Sequence, residues 1–176
     1  YGNSWGTPQN LSSRGNLILK FLNDFRQSAY YALNRQYYQA SFSGKNYVGP
    51  ISSVAPSVIV PLNPSYNFGS NDGIDGTWSV VSQAVQNYDP NGLYLVIPES
   101  GVSINGFETT WCGWHDYQTV SNTNVIFGLI PTPSTPACMI QSISPNTDPQ
   151  SDAMMSIFAH EISEMVTDPS LDAWYT

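Results

Sequence analysis

The sequence predicts an α+β fold in which helices pack on a small mixed sheet. Two stretches, one early and one near the end, carry apolar residues at the i, i+3, i+4 spacing of an amphipathic helix. Between them lie short apolar runs that end at prolines or turn residues, as strands do. There is no internal repeat and no linker, so we expect residues 1–176 to form one domain.

The first part of the chain predicts an extended arm followed by a long helix. Residues 1–10 are rich in Gly, Asn and Ser, and the helix is expected from Ser12 or Ser13 toward Ala40. Tyrosines extend its apolar stripe, and they form either the amphipathic edge of the helix or a surface for glycans. The stripe consists of Ile18, Phe21, Leu22, Phe25, Ala29, Ala32 and Leu33, followed by Tyr30, Tyr31, Tyr37 and Tyr38.

The middle of the chain predicts a strand, a loop and a helix. Residues 54–62 favour a strand that ends at a proline, and residues 67–76 form a Gly/Asp-rich loop. We expect Asp75 to cap a helix that runs from Trp78 to Tyr88. The alternative, a calcium site that uses the loop's acids, is less favoured because the spacing of an EF-hand is missing.

Three further strands precede the last helix. Leu93–Ile97 is almost continuously apolar, which predicts a central strand. Residues 111–117 and 125–130 predict two more strands. A proline-rich segment, residues 134–149, then leads to the helix Asp152–Thr167. Thr147, Asp148 and Asp152 are its candidate caps, and Pro149 suits its first turn.

The last helix carries the residues with the clearest chemistry. His160 and Glu164 lie one helical turn apart, so both can reach one zinc ion, and Glu161 points to where a metal-bound water would lie. This is the arrangement of His-Glu-x-x-His metalloproteases, with Glu164 in place of the second histidine. A surface helix with polar residues at i and i+4 explains the same five residues, so the pentapeptide alone leaves both interpretations open.

The composition excludes some partners and favours a compartment. Thirteen acidic residues against five basic ones give a net charge of −8, which argues against nucleic acid and anionic membranes. No apolar run is long enough to span a membrane. A lysine-poor chain with 10% charged residues fits a secreted protein. Cys112 and Cys138 suggest one disulfide, with two buried thiols as the alternative, and Asn10 begins a glycosylation sequon.

An ordered set of motifs resembles a known family. The set consists of Leu93–Ile97, Cys112–His115, Ala159–Glu164, Thr167–Pro169 and Ala173–Tyr175. It is similar to the EXORDIUM-like, or phosphate-induced protein, family of plants and its fungal and bacterial relatives. The family has further cysteines near Phe107 and Ala137 that this chain lacks. A Cys112–Cys138 bridge is therefore plausible, but the family pairings do not transfer.

The resemblance implies a secreted protein with a zincin-like core and, for the microbial branch, a metalloendopeptidase. His160 and Glu164 would bind Zn²⁺, and Glu161 would be the general base. Because family members continue beyond the position of Thr176, we expect a missing C-terminal piece, carried by a second chain or fragment, to supply an acidic third ligand. Within the chain, Asp168 and Asp172 are alternatives, although Asp168 suits a helix-end turn.

Two more residues are candidates for supporting roles. His115, the second histidine of the chain, is either an extra ligand, an oxyanion donor or a plain strand residue, and Tyr175 is a candidate donor to a tetrahedral intermediate. The function predicted from these observations is a secreted zinc endopeptidase that acts on peptides. The alternatives are a non-catalytic extracellular wall, matrix or carbohydrate-binding protein, and a metal-dependent hydrolase with another substrate.

Overall fold

The computed structural model describes residues 1–41, 43–139 and 143–173. The helices are α1 (Ser13–Phe25), α2 (Ala29–Ala32), α3 (Ile74–Ala84) and α4 (Pro149–Thr167), with 3-10 turns at Leu33–Gln36 and Asn71–Gly73. The strands are β1 (Gly6–Thr7), β2 (Asn10–Leu11), β3 (Tyr38–Ser41), β4 (Gly44–Tyr47), β5 (Leu93–Val96), β6 (Trp114–Val120) and β7 (Thr123–Leu129). The predicted α+β class is confirmed. None of the helices in the described part of the chain has the length and apolar character of a membrane span.

The main sheet has three strands in the order β5-β7-β6, with β5 parallel and β6 antiparallel to β7. The prediction that Leu93–Ile97 is the central strand is wrong, because β5 lies at an edge and β7 occupies the centre. Val125, Phe127 and Leu129 of β7 are almost completely buried. A central strand is covered on both faces, which β7 achieves although its apolar run is interrupted by Gly128.

The sheet is the middle layer between two helical layers. Alternate side chains of β5 point to opposite faces, so Val96 joins the core formed with α3 while Leu95 packs on the other side. The second core contains Ile18 of α1 and Phe158 of α4. Helix α4, which carries the predicted site, is therefore held between α1 and the sheet.

The long N-terminal helix is not confirmed. Helix α1 ends at Phe25, and Ser28 caps a new short helix by accepting a hydrogen bond from the backbone N–H of Tyr31 at 3.0 Å. Serine competes well for backbone N–H groups, which ends helices that apolar periodicity alone would continue. The tyrosines expected on its last turns instead belong partly to the hairpin of β3 and β4, where Tyr38 faces Tyr47.

Two extended segments also differ from expectation. The N-terminal residues are not a free arm, because Tyr1 and Trp5 are buried and β1 pairs with β2. Residues 54–62 form no strand, although Val60 is buried and its carbonyl accepts a hydrogen bond from Gly2. Prolines within and beside this segment lack the N–H groups that a sheet ladder needs.

The helix ends show which capping predictions hold. Helix α3 begins after Gly73 in the left-handed conformation, so the prediction that Asp75 caps it is wrong and Asp75 lies in its first turn. Helix α4 begins three residues before the predicted start. Its cap is Asp148, one of the three predicted candidates, and Pro149 lies in its first turn as predicted. Cys112 and Cys138 are joined by a disulfide.

Candidate metal centre

The candidate site lies where α4 packs on the start of strand β6. His115 is the second residue of β6 and is paired with Gly128 of β7. It is buried, as is Glu161 on the facing side of α4. A Cβ at Gly128 would lie 3.0 Å from the carbonyl oxygen of Trp114 and 3.6 Å from the sulfur of Met165 on α4, so the absence of a side chain there permits close packing.

Three side chains converge at this contact. His115 Nδ1 lies 3.6 Å from Glu161 Oε2 and 3.5 Å from Glu164 Oε2. The three groups each offer one metal-ligating atom, and these atoms lie within 4.8 Å of one another. An imidazole nitrogen and two carboxylate oxygens are a donor set that zinc accepts in proteins.

The orientation of His115 is fixed by the end of α4. Its Nε2 lies 3.1 Å from the carbonyl oxygen of Asp168. A carbonyl only accepts hydrogen bonds, so Nε2 carries the proton in this contact and Nδ1 faces the two carboxylates. Burial by itself lowers the pKa of His115, but Glu161, the Asp168 carbonyl and Glu164 outweigh that effect and raise the pKa above its ordinary value.

Glu161 is the most enclosed of the three groups. The residue is 3% exposed, and its Oε2 has no hydrogen-bond partner among the described residues. A buried carboxylate oxygen without a partner is costly, and such an atom indicates either an ion or a functional role. Gly113 makes this approach possible, because a Cβ there would lie 2.4 Å from Ile157 Cγ2 and 3.2 Å from Glu161 Oε1.

His160 lies beside the cluster and does not enter it. Its side chain is 66% exposed, and its Nε2 contacts Glu164 Oε1 at 3.2 Å, while Glu164 Oε2 faces His115. The structure thus brings together Glu161, Glu164 and His115. It places His160 on the solvent side of Glu164. The ligand and general-base roles inferred from the helix motif stay predictions.

The other predicted site residues have different surroundings. The Asp168 carboxylate accepts hydrogen bonds from the backbone N–H groups of Asp172 and Ala173 at 2.8 Å each, so it orders the turn after α4. Neither aspartate belongs to the three-residue cluster. Tyr175 lies outside the described residues. Asn10, the predicted glycosylation site, is exposed on β2.

The sequence pattern gave His115 only a supporting role, although the structure places it in the cluster. The helix spacing finds the α4 residues because they repeat every turn, but a strand histidine distant in the chain has no such signal. Its scarcity could have indicated it, because His115 is one of two histidines and stands in the strand predicted over residues 111–117.

The fold and the site define a single-domain α+β protein with a buried histidine–carboxylate cluster. The family model described as "Phosphate-induced protein 1 conserved region" matches residues 28–176. The chain belongs to this phosphate-induced protein 1 family.

The chain is also similar to a plant protein. Protein EXORDIUM-like 3 of Arabidopsis thaliana is 31% identical over 102 residues, which are 48% of this chain and 30% of the relative. The chain thus spans less than a third of the relative that it matches. No solved structure shows significant similarity to the chain. The zincin-like part of the fold prediction therefore stays a prediction.

The comparisons overturn the predicted activity. Neither the matching family nor the EXORDIUM-like plant relative is known for protease activity, so the predicted assignment as an enzyme of the zinc metalloendopeptidase class is corrected to membership in this family. The motif on α4 is short, and a histidine and two glutamates at these spacings also occur on ordinary surface helices. The predicted Cys112–Cys138 disulfide is present.

Proposed function

We propose that this protein is a non-catalytic extracellular protein that binds an uncharged wall or matrix polysaccharide through the β3–β4 hairpin. The observation that carries the proposal is a pair of exposed tyrosines on one face of that hairpin. Tyr38 and Tyr47 are directly opposite each other, 46% and 55% exposed, with ring centroids 5.4 Å apart. Membership in an extracellular-associated family and a disulfide support a secreted location.

The hairpin has two chemically different faces. Directly opposite residues share a face, so Lys45 and Ala40 lie on the tyrosine face, and Lys45 Nζ lies 4.1 Å from the centre of the Tyr38 ring. The other face carries the pair Gln39 and Asn46. The tyrosine rings offer flat apolar area to the C–H face of a sugar ring and their hydroxyls offer hydrogen bonds, whereas the amides lie on the opposite face.

Both rings of the pair are exposed to solvent. All residues of β4 are exposed. Two-stranded hairpins are marginally stable alone, and a cross-strand aromatic pair stabilises them by up to about 1 kcal/mol. That contribution does not require both rings to face solvent. Two exposed rings tilted by 55° to each other offer two stacking positions to an extended ligand.

The net charge of the protein favours uncharged polysaccharides over acidic ones as ligands. With a net charge of −8, the protein repels polyanions such as pectic acids at low ionic strength. An uncharged glucan meets no such repulsion. We therefore expect binding to neutral glucans to be insensitive to salt, which distinguishes stacking from charge attraction.

The test is co-sedimentation with an insoluble β-glucan, comparing the wild type with the double variant Y38A/Y47A. We expect the variant to bind at least about tenfold more weakly, because truncating aromatic anchors that the bound glycan covers costs about 2 kcal/mol or more. Y38F/Y47F keeps the rings and should retain most binding. Y117A removes a partly exposed tyrosine from β6 and is the matched control.

Either of two results would contradict the proposal. If the folded wild type does not bind neutral glucans, or if Y38A/Y47A binds them as well as Y117A does, the hairpin is not a glycan surface. Circular dichroism of each variant shows whether the domain remains folded.

A further inference from the structure

We infer that His115, Glu161 and Glu164 form a zinc site that clamps helix α4 to strand β6 without taking part in a reaction. This ligand set differs from the helix motif, because it uses the strand histidine in place of His160 and makes Glu161 a ligand. The site is independent of the glycan surface, which lies on the β3–β4 hairpin.

Two of the three donor–donor distances fit one shared ion, and all three are within 4.8 Å. Zinc binds imidazole nitrogen and carboxylate oxygen at about 2.0–2.2 Å, so two donors at a tetrahedral angle lie about 3.3–3.5 Å apart. The Nδ1–Oε2 distances of 3.5 and 3.6 Å from His115 to the two glutamates are close to that value. Both distances are at or beyond the limit of a good hydrogen bond, so direct hydrogen bonding explains them less well.

The buried oxygen of Glu161 is the second observation. Its Oε2 has no hydrogen-bond partner among the residues that the structure describes, and it points toward His115 Nδ1. The residue is more than nine-tenths buried. A cation between Nδ1 and Oε2 would give this atom the partner that the protein does not supply.

The charge balance favours a divalent ion over a protonated histidine. Two carboxylates carry two negative charges, and a protonated His115 would neutralise one of them. A divalent cation neutralises both and leaves His115 neutral, with its Nε2 proton on the Asp168 carbonyl. This carbonyl contact is the usual outer support of a metal-binding histidine.

The types of donor atom narrow the choice of metal ion. Calcium and magnesium are bound by oxygen atoms alone, whereas one imidazole with two carboxylates suits zinc. Glu164, with a side chain 23% exposed, opens the site to solvent on the side of His160. The ion can therefore enter after folding, and water can complete its coordination.

The experiment uses the full chain, stripped of metal with a chelator and titrated with Zn²⁺ by calorimetry. We expect one zinc ion per chain and a higher melting temperature with zinc present. Co²⁺ bound in the same site should give the intense visible bands of tetrahedral coordination. The variants E161Q, E164Q and H115A should bind zinc at least about tenfold more weakly.

His160→Ala is the matched control, because it removes the same type of side chain beside the cluster, and we expect it to keep zinc affinity within about threefold. Glu164→Gln keeps shape and is partly exposed, so it reports on the site even where H115A fails to fold. Y38A/Y47A should bind zinc normally, which separates this inference from the proposed function.

Two results would overturn the inference. One is a folded wild-type protein that takes up no zinc at about millimolar concentration. The other is loss of zinc binding in H160A with retention in E161Q, which would return the site to the helix motif alone.

Discussion

At the scale of single residues, Gly113 decides how closely α4 approaches the strand that carries His115. A Cβ at this position would lie 2.4 Å from Ile157 Cγ2, closer than real atoms pack, and 3.2 Å from Glu161 Oε1. Both neighbours are on α4, so the missing side chain sets the distance between helix and strand. The cluster geometry therefore depends on a residue that contributes no ligand.

We predict that Gly113→Ala lowers the free energy of unfolding by about 1–3 kcal/mol, as overpacking of a core contact does. Gly49→Ala is the control, because nothing lies within 4 Å of its Cβ position and the change should cost close to nothing. Urea denaturation of both variants measures the difference. Equal stability of the two variants would show that the helix shifts freely and that Gly113 sets no distance.

At the scale of elements, the beginning of α4 is held by one carboxylate. Asp148 caps the helix by accepting from the backbone N–H of Ser151 at 3.2 Å, and it binds Arg14 of α1 through two hydrogen bonds of 3.0 and 3.1 Å. Burial alone raises the pKa of Asp148, but the bonds from Arg14 and Ser151 outweigh it and hold the pKa below its ordinary value of 3.8. The ionised carboxylate thus couples two helices.

We predict that Asp148→Asn costs about 1–2 kcal/mol at neutral pH. Because the pKa is lower in the folded state, this contribution is complete above about pH 4 and is lost as the pH falls through the folded-state pKa. The variant should therefore lose less stability than the wild type on acidification below pH 4. Asp24→Asn, which breaks the exposed Lys20–Asp24 pair, should cost less than about 0.5 kcal/mol. A parallel pH profile for D148N would exclude the role.

The elements also show what sequence patterns can and cannot predict. The cap and first turn of α4 are predictable because Asp148 and Pro149 act through their own backbone neighbours. The break at Ser28 was missed because apolar periodicity continues across it, and the local serine cap wins. The central position of β7 was missed because burial on two faces comes from partners, α3 on one side and α4 on the other, that are distant in sequence.

At the scale of the whole molecule, the candidate site is assembled from two distant parts of the chain. The spacing on α4 predicts that His160 and Glu164 share a helix side, because residues four apart lie one turn apart. It also favours His160 over His115, and only the packing of α4 on β6 reverses that preference. Helix spacing alone cannot show which strand faces a helix, so a site that spans both is visible only in part.

The disulfide strengthens the same region of the molecule. Cys112 precedes β6 and Cys138 follows β7, and because these strands are antiparallel the bridge joins the end of the hairpin where His115 lies. The two cysteines are 26 residues apart, so closing this loop restricts the unfolded chain and should stabilise the fold by about 3–4 kcal/mol.

We predict that the double variant C112S/C138S loses most of this free energy of unfolding in urea, and that a reductant lowers the stability of the wild type by a similar amount. The reductant should not change the double variant, which is the control for side effects. If the wild type with verified free thiols unfolds at the same urea concentration as before, the constraint is absent. The packing of α4 and β7 would then hold the hairpin without help from the covalent bond, since both elements are already buried in the two cores.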